Sequence, residues 1–214
     1  MESIYENIKG SNTLLVAFQA HDRTVFGTTI DEFKGILAQL NCDTLKINDT
    51  TGNYFFNGID ETYDTMEKVL EKLSEYISGY TKTVFMGNCG GAHAAILYGT
   101  MLNVDKVIGF NTATYLDQET LLLNEDGRED QLISLDQSIE YLNLKPYLDN
   151  KVYDTKIYSI VAQNTDRHVK QSNNISECPN VSIEFIDCDT PKVALYLRNQ
   201  NQLISKIEQI IESN

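Results

Sequence analysis

The chain has 214 residues, 42% of them hydrophobic, which fits one globular domain with a core large enough to need no disulfide or metal staples. Seventeen basic against thirty-one acidic residues give a net charge of −14, which argues against nucleic acid or an anionic membrane surface as partner. The four cysteines (Cys42, Cys89, Cys178, Cys188) show no paired ligand spacing and have three histidines for company, so neither a structural zinc site nor any cofactor motif is read.

The start of the sequence carries no basic-then-apolar signal pattern, and no apolar run approaches the length of a membrane span. Free thiols in such a chain read as a reduced, cytoplasmic protein. Thr13–Phe18 (TLLVAF) is a continuous apolar run that suits a strand buried on both faces. Asp31 is placed to cap a short helix with Phe33, Ile36, Leu37 and Leu40 on one face, and Leu45 and Ile47 mark a second strand over 43–48. The loop 49–58 is rich in turn residues yet holds three consecutive aromatics, part of which must pack.

Asp60 opens the clearest helical pattern, with Tyr63, Met66, Val69, Leu70, Leu73, Tyr76 and Ile77 at helical spacing and Gly79 where a cap belongs. Lys106–Phe110, Lys156–Ala162 and Val181–Ile186 read as further strands, and the sequence closes on an amphipathic helix carrying Leu203, Ile204, Ile207, Ile210 and Ile211. Six strands alternating with helices imply an α/β fold, a three-layer α/β/α sandwich around a mostly parallel sheet. No repeat or domain boundary interrupts it. The stretch 111–150 has no strand pattern, only helical fragments and an acidic loop, NEDGRED, at 124–130. It reads equally as a lid over the sheet edge or as a crossover enlarged by one helix.

Residues 83–99 (TVFMGNCGGAHAAILYG) organise the rest. An apolar strand stops at Gly87, Cys89 follows, and Gly90-Gly91 lead into a helix of small residues. Glycine two positions before and two after a nucleophile-type residue is the pattern of a strained strand-to-helix elbow, here with sulfur in place of oxygen. A phosphate-cradling loop is a weaker alternative, because the glycine spacing matches neither of the common nucleotide-binding patterns and no lysine accompanies it.

On these residues the chain resembles the α/β-hydrolase superfamily. More narrowly it is similar to small bacterial hydrolases associated with surface-polysaccharide or glycoprotein modification. Their elbow, close to G-N-S-x-G-G-x-A-A, reads here Gly87-Asn88-Cys89-Gly90-Gly91-Ala92-His93-Ala94-Ala95. Ile47-Asn48-Asp49 followed by Tyr54-Phe55-Phe56-Asn57-Gly58 resembles the stretch before their long helix, and LYLRNQNQL at 195–203 the helix after their last strand. The resemblance implies Cys89 as nucleophile, Asp166 as the acid after a later strand, and an oxyanion hole from the Gly90 amide with one from Gln19 or Ala20. It also implies an acyl hydrolase or acyltransferase acting on an ester or thioester, with a small-molecule or glycan-linked acyl substrate.

The histidine departs from the pattern. The loop 187–192 (DCDTPK), where the family carries it near Thr190 or Pro191, has none, so a serine-type triad in its usual arrangement is excluded. Three histidines remain. His168, two residues past Asp166, is either a surface residue, the commoner case in loops, or a base that swings to Cys89. His93 points into helix packing, and His21 is read as a solvated loop residue. A thiol needs a base less than a hydroxyl does: its pKa is about 8.5, lowered further at a helix N-terminus. Two readings stay open: a cysteine acyl hydrolase or transferase, and a hydrolase-like binding protein that has lost its chemistry.

Overall fold

A computed structural model of the chain describes residues 3–19, 35–188 and 190–213. A seven-stranded sheet runs through the middle, built from β1 (Ile4–Asn7), β2 (Thr13–Phe18), β3 (Asp43–Ile47), β4 (Lys82–Asn88), β5 (Lys106–Phe110), β6 (Lys156–Ala162) and β7 (Val181–Ile186). The spatial order is β1-β3-β2-β4-β5-β6-β7; β1 pairs antiparallel with β3, and every other pairing is parallel. The expected α/β sandwich is therefore present, with seven strands among the described residues rather than six. The extra one is β1, a four-residue edge strand whose side chains are half-buried or exposed, so it carries no apolar signature.

The helices are α1 (Met66–Ile77), α2 (Gly90–Met101), α3 (Gln118–Leu123), α4 (Glu129–Leu132), α5 (Leu144–Asn150), α6 (Asp166–Asn173), α7 (Val193–Asn199) and α8 (Leu203–Glu212). Residues 35–37 are helical as well, with Ile36, Leu37 and Leu40 buried; Asp31 and Phe33 of that expected helix lie outside the described residues. One apolar layer gathers α1, α2 and leucines of the 111–150 stretch; the other gathers α7, α8 and Ile36, Leu37 and Leu40. Between Gly90 and Thr100, α2 is buried on all sides, which explains why its sequence is apolar around the whole circumference.

α1 begins six residues later than the Asp60 pattern implies. Thr65 is its N-cap, its hydroxyl accepting from the Lys68 amide at 3.3 Å. Asp60 caps a turn of its own instead, its Oδ1 accepting from the Thr62 and Tyr63 amides at 2.8 Å each. At the far end of the sheet from Cys89, the buried Lys106 ammonium donates to the carbonyls of Ile210 (2.7 Å) and Ile211 (3.1 Å), fastening the C-terminal end of α8 to the start of β5.

Candidate active site

Cys89 sits between β4 and α2 with φ 51° and ψ −117°, a backbone conformation that non-glycine residues rarely adopt. Neighbouring strands hold it there. Its amide donates to the Phe110 carbonyl at 2.9 Å, and its carbonyl accepts from Ala113 at 3.2 Å as well as from the first turn of α2. The glycines around it are required by space. A Cβ on Gly87 would lie 2.3 Å from the Gly91 backbone, and one on Gly91 would lie 2.6 Å from the Phe18 and Gln19 carbonyl oxygens. The elbow is therefore pressed between its own helix and the end of β2, with the half-buried Cys89 presented at the N-terminus of α2.

The stretch 49–58 folds over this turn. Asp49 gathers the amides of Thr51 (2.7 Å), Gly52 (2.9 Å) and Phe55 (3.0 Å), and all three aromatics Tyr54, Phe55 and Phe56 are buried. The Tyr54 ring lies against Gly90, so close that a Cβ there would be 2.6 Å from the ring. Burial first, and then the neighbouring Cys89, push the Tyr54 phenol well above its ordinary range.

The sequence-derived site residues divide into groups. Gly90 opens α2, where the first amides have no acceptor within the helix. The Gln19 amide is corrected as an oxyanion donor: it donates to the Ile47 carbonyl at 2.9 Å, extending the β2–β3 pairing. Ala20, its alternative, and His21 lie outside the described residues. Asp166 opens α6 with its side chain 80% exposed, paired with Lys170 at 2.9 Å rather than with an imidazole.

His168 is on α6, not on a loop, and is buried rather than at the surface. Its Nε2 lies 3.4 Å from an Arg167 guanidinium nitrogen, and its Nδ1 has no partner among the described residues. Burial, then Arg167 and Arg128, push its pKa down to about 4. His93 is fully enclosed, with Nδ1 2.8 Å from the Ala113 carbonyl and Nε2 2.9 Å from the Tyr141 carbonyl. Burial outweighs both carbonyls and lowers it to about 4, so the neutral ring donates to one of them. Among the described residues no hydrogen bond joins an imidazole to the Cys89 sulfur.

In the loop after β7, Asn111 holds the backbone in place. Its Nδ2 donates to the Pro191 carbonyl at 2.6 Å and its Oδ1 accepts from Ala162 at 2.8 Å.

A buried ion pair escaped the sequence reading. Asp126 and Arg128, inside the acidic NEDGRED loop, meet through Nε and through Nη2 at 2.9 Å. Gly127 between them has φ 80°, and the tight turn it permits brings the two side chains together. Gln171 of α6 holds the carboxylate from the other side at 2.9 Å. Burial works against both charges, yet Arg128 and Gln171 hold the Asp126 carboxyl below its usual range. Asp126, and then Cys89 and Tyr54, hold the guanidinium above its ordinary value. The spacing D-G-R, a glycine between opposite charges, was the available signal.

No protein-family sequence profile matches the chain, and no curated protein matches it at the level of sequence. Solved structures do. The capsule O-acetyltransferase of Neisseria meningitidis serogroup A, in complex with CoA, aligns with a TM-score of 0.62 at 17% identity over 94% of this chain and 90% of that one. A lipase-esterase related protein from Clostridium acetobutylicum aligns with a TM-score of 0.57 at 15% identity, covering 97% and 99% of the two chains. A protein of unknown function from Staphylococcus aureus aligns with a TM-score of 0.68 at 11% identity over 98% and 92%. Among the described residues no helix is long and apolar enough to cross a membrane, and no cluster of metal-ligating side chains occurs. With its mostly parallel sheet, its flanking helices and the turn at the end of β4, the chain has the α/β-hydrolase fold.

Proposed function

We propose that the protein accepts acyl groups on Cys89 from activated thioester or ester donors, as an acyl hydrolase or acyltransferase. The observation carrying this is the left-handed backbone of Cys89 at the N-terminus of α2, locked by Phe110 and Ala113 and crowded by Gly87 and Gly91. A helix N-terminus favours the thiolate over the thiol, and the thiolate is the nucleophile. Attack on a thioester carbonyl forms a carbon–sulfur bond at Cys89 as the donor's carbon–sulfur bond breaks. The donor thiolate departs and takes up a proton from solvent. The first free amides of α2, beginning at Gly90, face the developing oxyanion. That one structural neighbour is an O-acetyltransferase in complex with CoA supports a thioester donor and a hydroxyl acceptor, glycan-linked or small.

Removing the acyl group requires an activated water or acceptor hydroxyl. His168, close enough to the Asp126–Arg128 pair to feel both charges, is the base we assign to that step after a side-chain rearrangement; Asp166, two residues before it, is the acid. The absence of a bond between His168 and the sulfur makes the second step the slow one. Incubation with a short acyl thioester should give a burst of free donor thiol and a stable mass adduct on Cys89, both lost in Cys89→Ala. Steady turnover with no burst would defeat the slow second step, and an adduct that persists in Cys89→Ala would defeat the assignment of Cys89.

The second reading is a binding protein that keeps the fold without chemistry. It is favoured by the exposed Asp166, which pairs with Lys170. It predicts no adduct with any activated acyl donor.

A further inference from the structure

We propose that the protein pairs with a second copy of itself along β7, joining two sheets edge to edge in an antiparallel register centred on Ile183. The pairing stands apart from the chemistry at Cys89.

β7 closes one side of the sheet: it pairs with β6, and among the described residues no strand lies beyond it. Hydrogen bonds at its two ends fix which way its backbone points. Ile157 donates to the Asn180 carbonyl at 2.8 Å, and Gln163 donates to the Ile186 carbonyl at 2.9 Å. Backbone direction alternates along a strand, so the even-numbered residues face β6. The amides and carbonyls of Val181, Ile183 and Phe185 therefore face the open edge. These three are also the apolar residues of one face. Val181 packs in part against the layer of α1 and α2, Ile183 is half-buried, and Phe185 is 42% exposed. Ser182 and Glu184 are exposed on the other face.

An edge of this kind is a template for another strand unless something guards it. The opposite edge is guarded: β1 has four residues, Glu6 and Asn7 are exposed, and the Tyr76 hydroxyl of α1 donates to Glu6. β7 has six residues and a single charge. That charge is turned aside, with Glu184 joined to Lys206 of α8 at 2.6 Å.

A second copy fits this edge because β7 complements itself. A two-fold axis through Ile183, perpendicular to the sheet, keeps each face with its own kind. It sets Ile183 against Ile183, Val181 against Phe185 and Ser182 against Glu184 of the second copy. Every outward amide and carbonyl of the strand then meets its opposite number, and the apolar row becomes continuous across the join. Centring the pair one residue later would bring the two Glu184 carboxylates face to face. Centring it one residue earlier would set Phe185 against Pro179, which has no amide to give. The contact uses the same edge in both copies, so it closes as a dimer instead of extending into a fibre.

Sedimentation velocity on the full chain should show a monomer–dimer equilibrium with a Kd on the order of 10 μM, as befits a small interface. Each copy carries −14, so the dimer should tighten as added salt screens that repulsion. Amide hydrogen exchange at Val181, Ile183 and Phe185 should slow as protein concentration rises, while exchange in β1 stays constant. Ile183→Lys sets like charges directly opposite and should weaken the dimer by about 10-fold. Ser182→Lys, at an exposed side chain, sets opposite charges across both symmetry-related pairs and should tighten it by about 5-fold. Adding Glu184→Gln should cancel that gain.

A chain that stays monomeric well above the expected Kd overturns the proposal. So does a dimer indifferent to Ile183→Lys, or association that continues past the dimer. If Ile183→Lys melts early by circular dichroism, Ser182→Lys decides: a dimer that fails to tighten overturns the register and the proposal with it.

Discussion

At the end of β4 the backbone of Cys89 itself is fixed, its amide on Phe110 and its carbonyl on Ala113, with Gly87 and Gly91 where a single added carbon would strike backbone. At the end of β7 the loop is also well anchored, with the Asn111 amide on Pro191 and the Cys188 sulfhydryl donating to the Thr190 carbonyl at 3.4 Å. Yet it carries no histidine. Two loops at the same edge of one sheet are thus both tied to their neighbours by hydrogen bonds, and the sequence of the second holds no imidazole to face the thiol of the first. Fold and chemistry are separable: the same sheet edge can keep a strained turn without the neighbouring loop carrying a histidine.

Adding a carbon to the first loop should have the largest effect. Gly87→Ala pushes a Cβ to 2.3 Å from backbone atoms of Gly91, so neither side can give without moving the elbow. A loss on the order of 3 kcal/mol in denaturant melts is expected, with loss of Cys89 labelling in whatever remains folded. A near-wild-type melt would show the turn to be looser than described.

The second loop offers the opposite experiment. Thr190→His places an imidazole where the resemblance noted in the sequence implies one. Deacylation of an acyl-Cys89 adduct should accelerate by about 100-fold if the ring reaches the sulfur, the lower end of what a positioned base contributes. Unchanged adduct lifetime between pH 6 and 8 would mean that an imidazole at 190 does not reach the sulfur.

A smaller effect concerns the buried imidazoles. His93 and His168 are both held at about 4, below the ordinary histidine value of 6.5. The unfolded chain therefore binds more protons than the folded one between these values. Stability is fully present above pH 6.5 and falls as the pH drops toward 4. For His93 the shift corresponds to roughly 3 kcal/mol. Carboxylates such as Asp43 and Asp126, lowered from 3.8, contribute only below that window. His93→Gln should remove about one proton from the slope of unfolding free energy between pH 6.5 and 4.5. An unaltered slope would place the titration elsewhere.

What the sequence made legible follows from what kind of signal each element carries. Thr13–Phe18, Lys106–Phe110 and Lys156–Ala162 coincide with their strands because largely apolar runs bounded by turns leave little alternative, and Val181–Ile186 does so through its apolar–polar alternation. β1 was invisible, a short edge strand with polar residues. Asp60 misplaced the start of α1 because aspartate caps turns and helices with the same atoms. The elbow was legible since its glycines are imposed by local crowding. The Asp126–Arg128 pair was not: a charge-rich loop reads as solvated, and only tertiary packing folds two of its charges inward.

The backbone of Cys89 carries one more consequence. A cysteine at φ 51° costs on the order of 1–3 kcal/mol, which glycine at the same place would avoid. Cys89→Gly should thus melt above Cys89→Ala by about 1 kcal/mol, the smallest of these effects. Seen over generations, drift toward an easier residue would run downhill in energy at this position. The penalty belongs to the position rather than to sulfur, and the hydrogen bonds to Phe110 and Ala113 hold the backbone there against it.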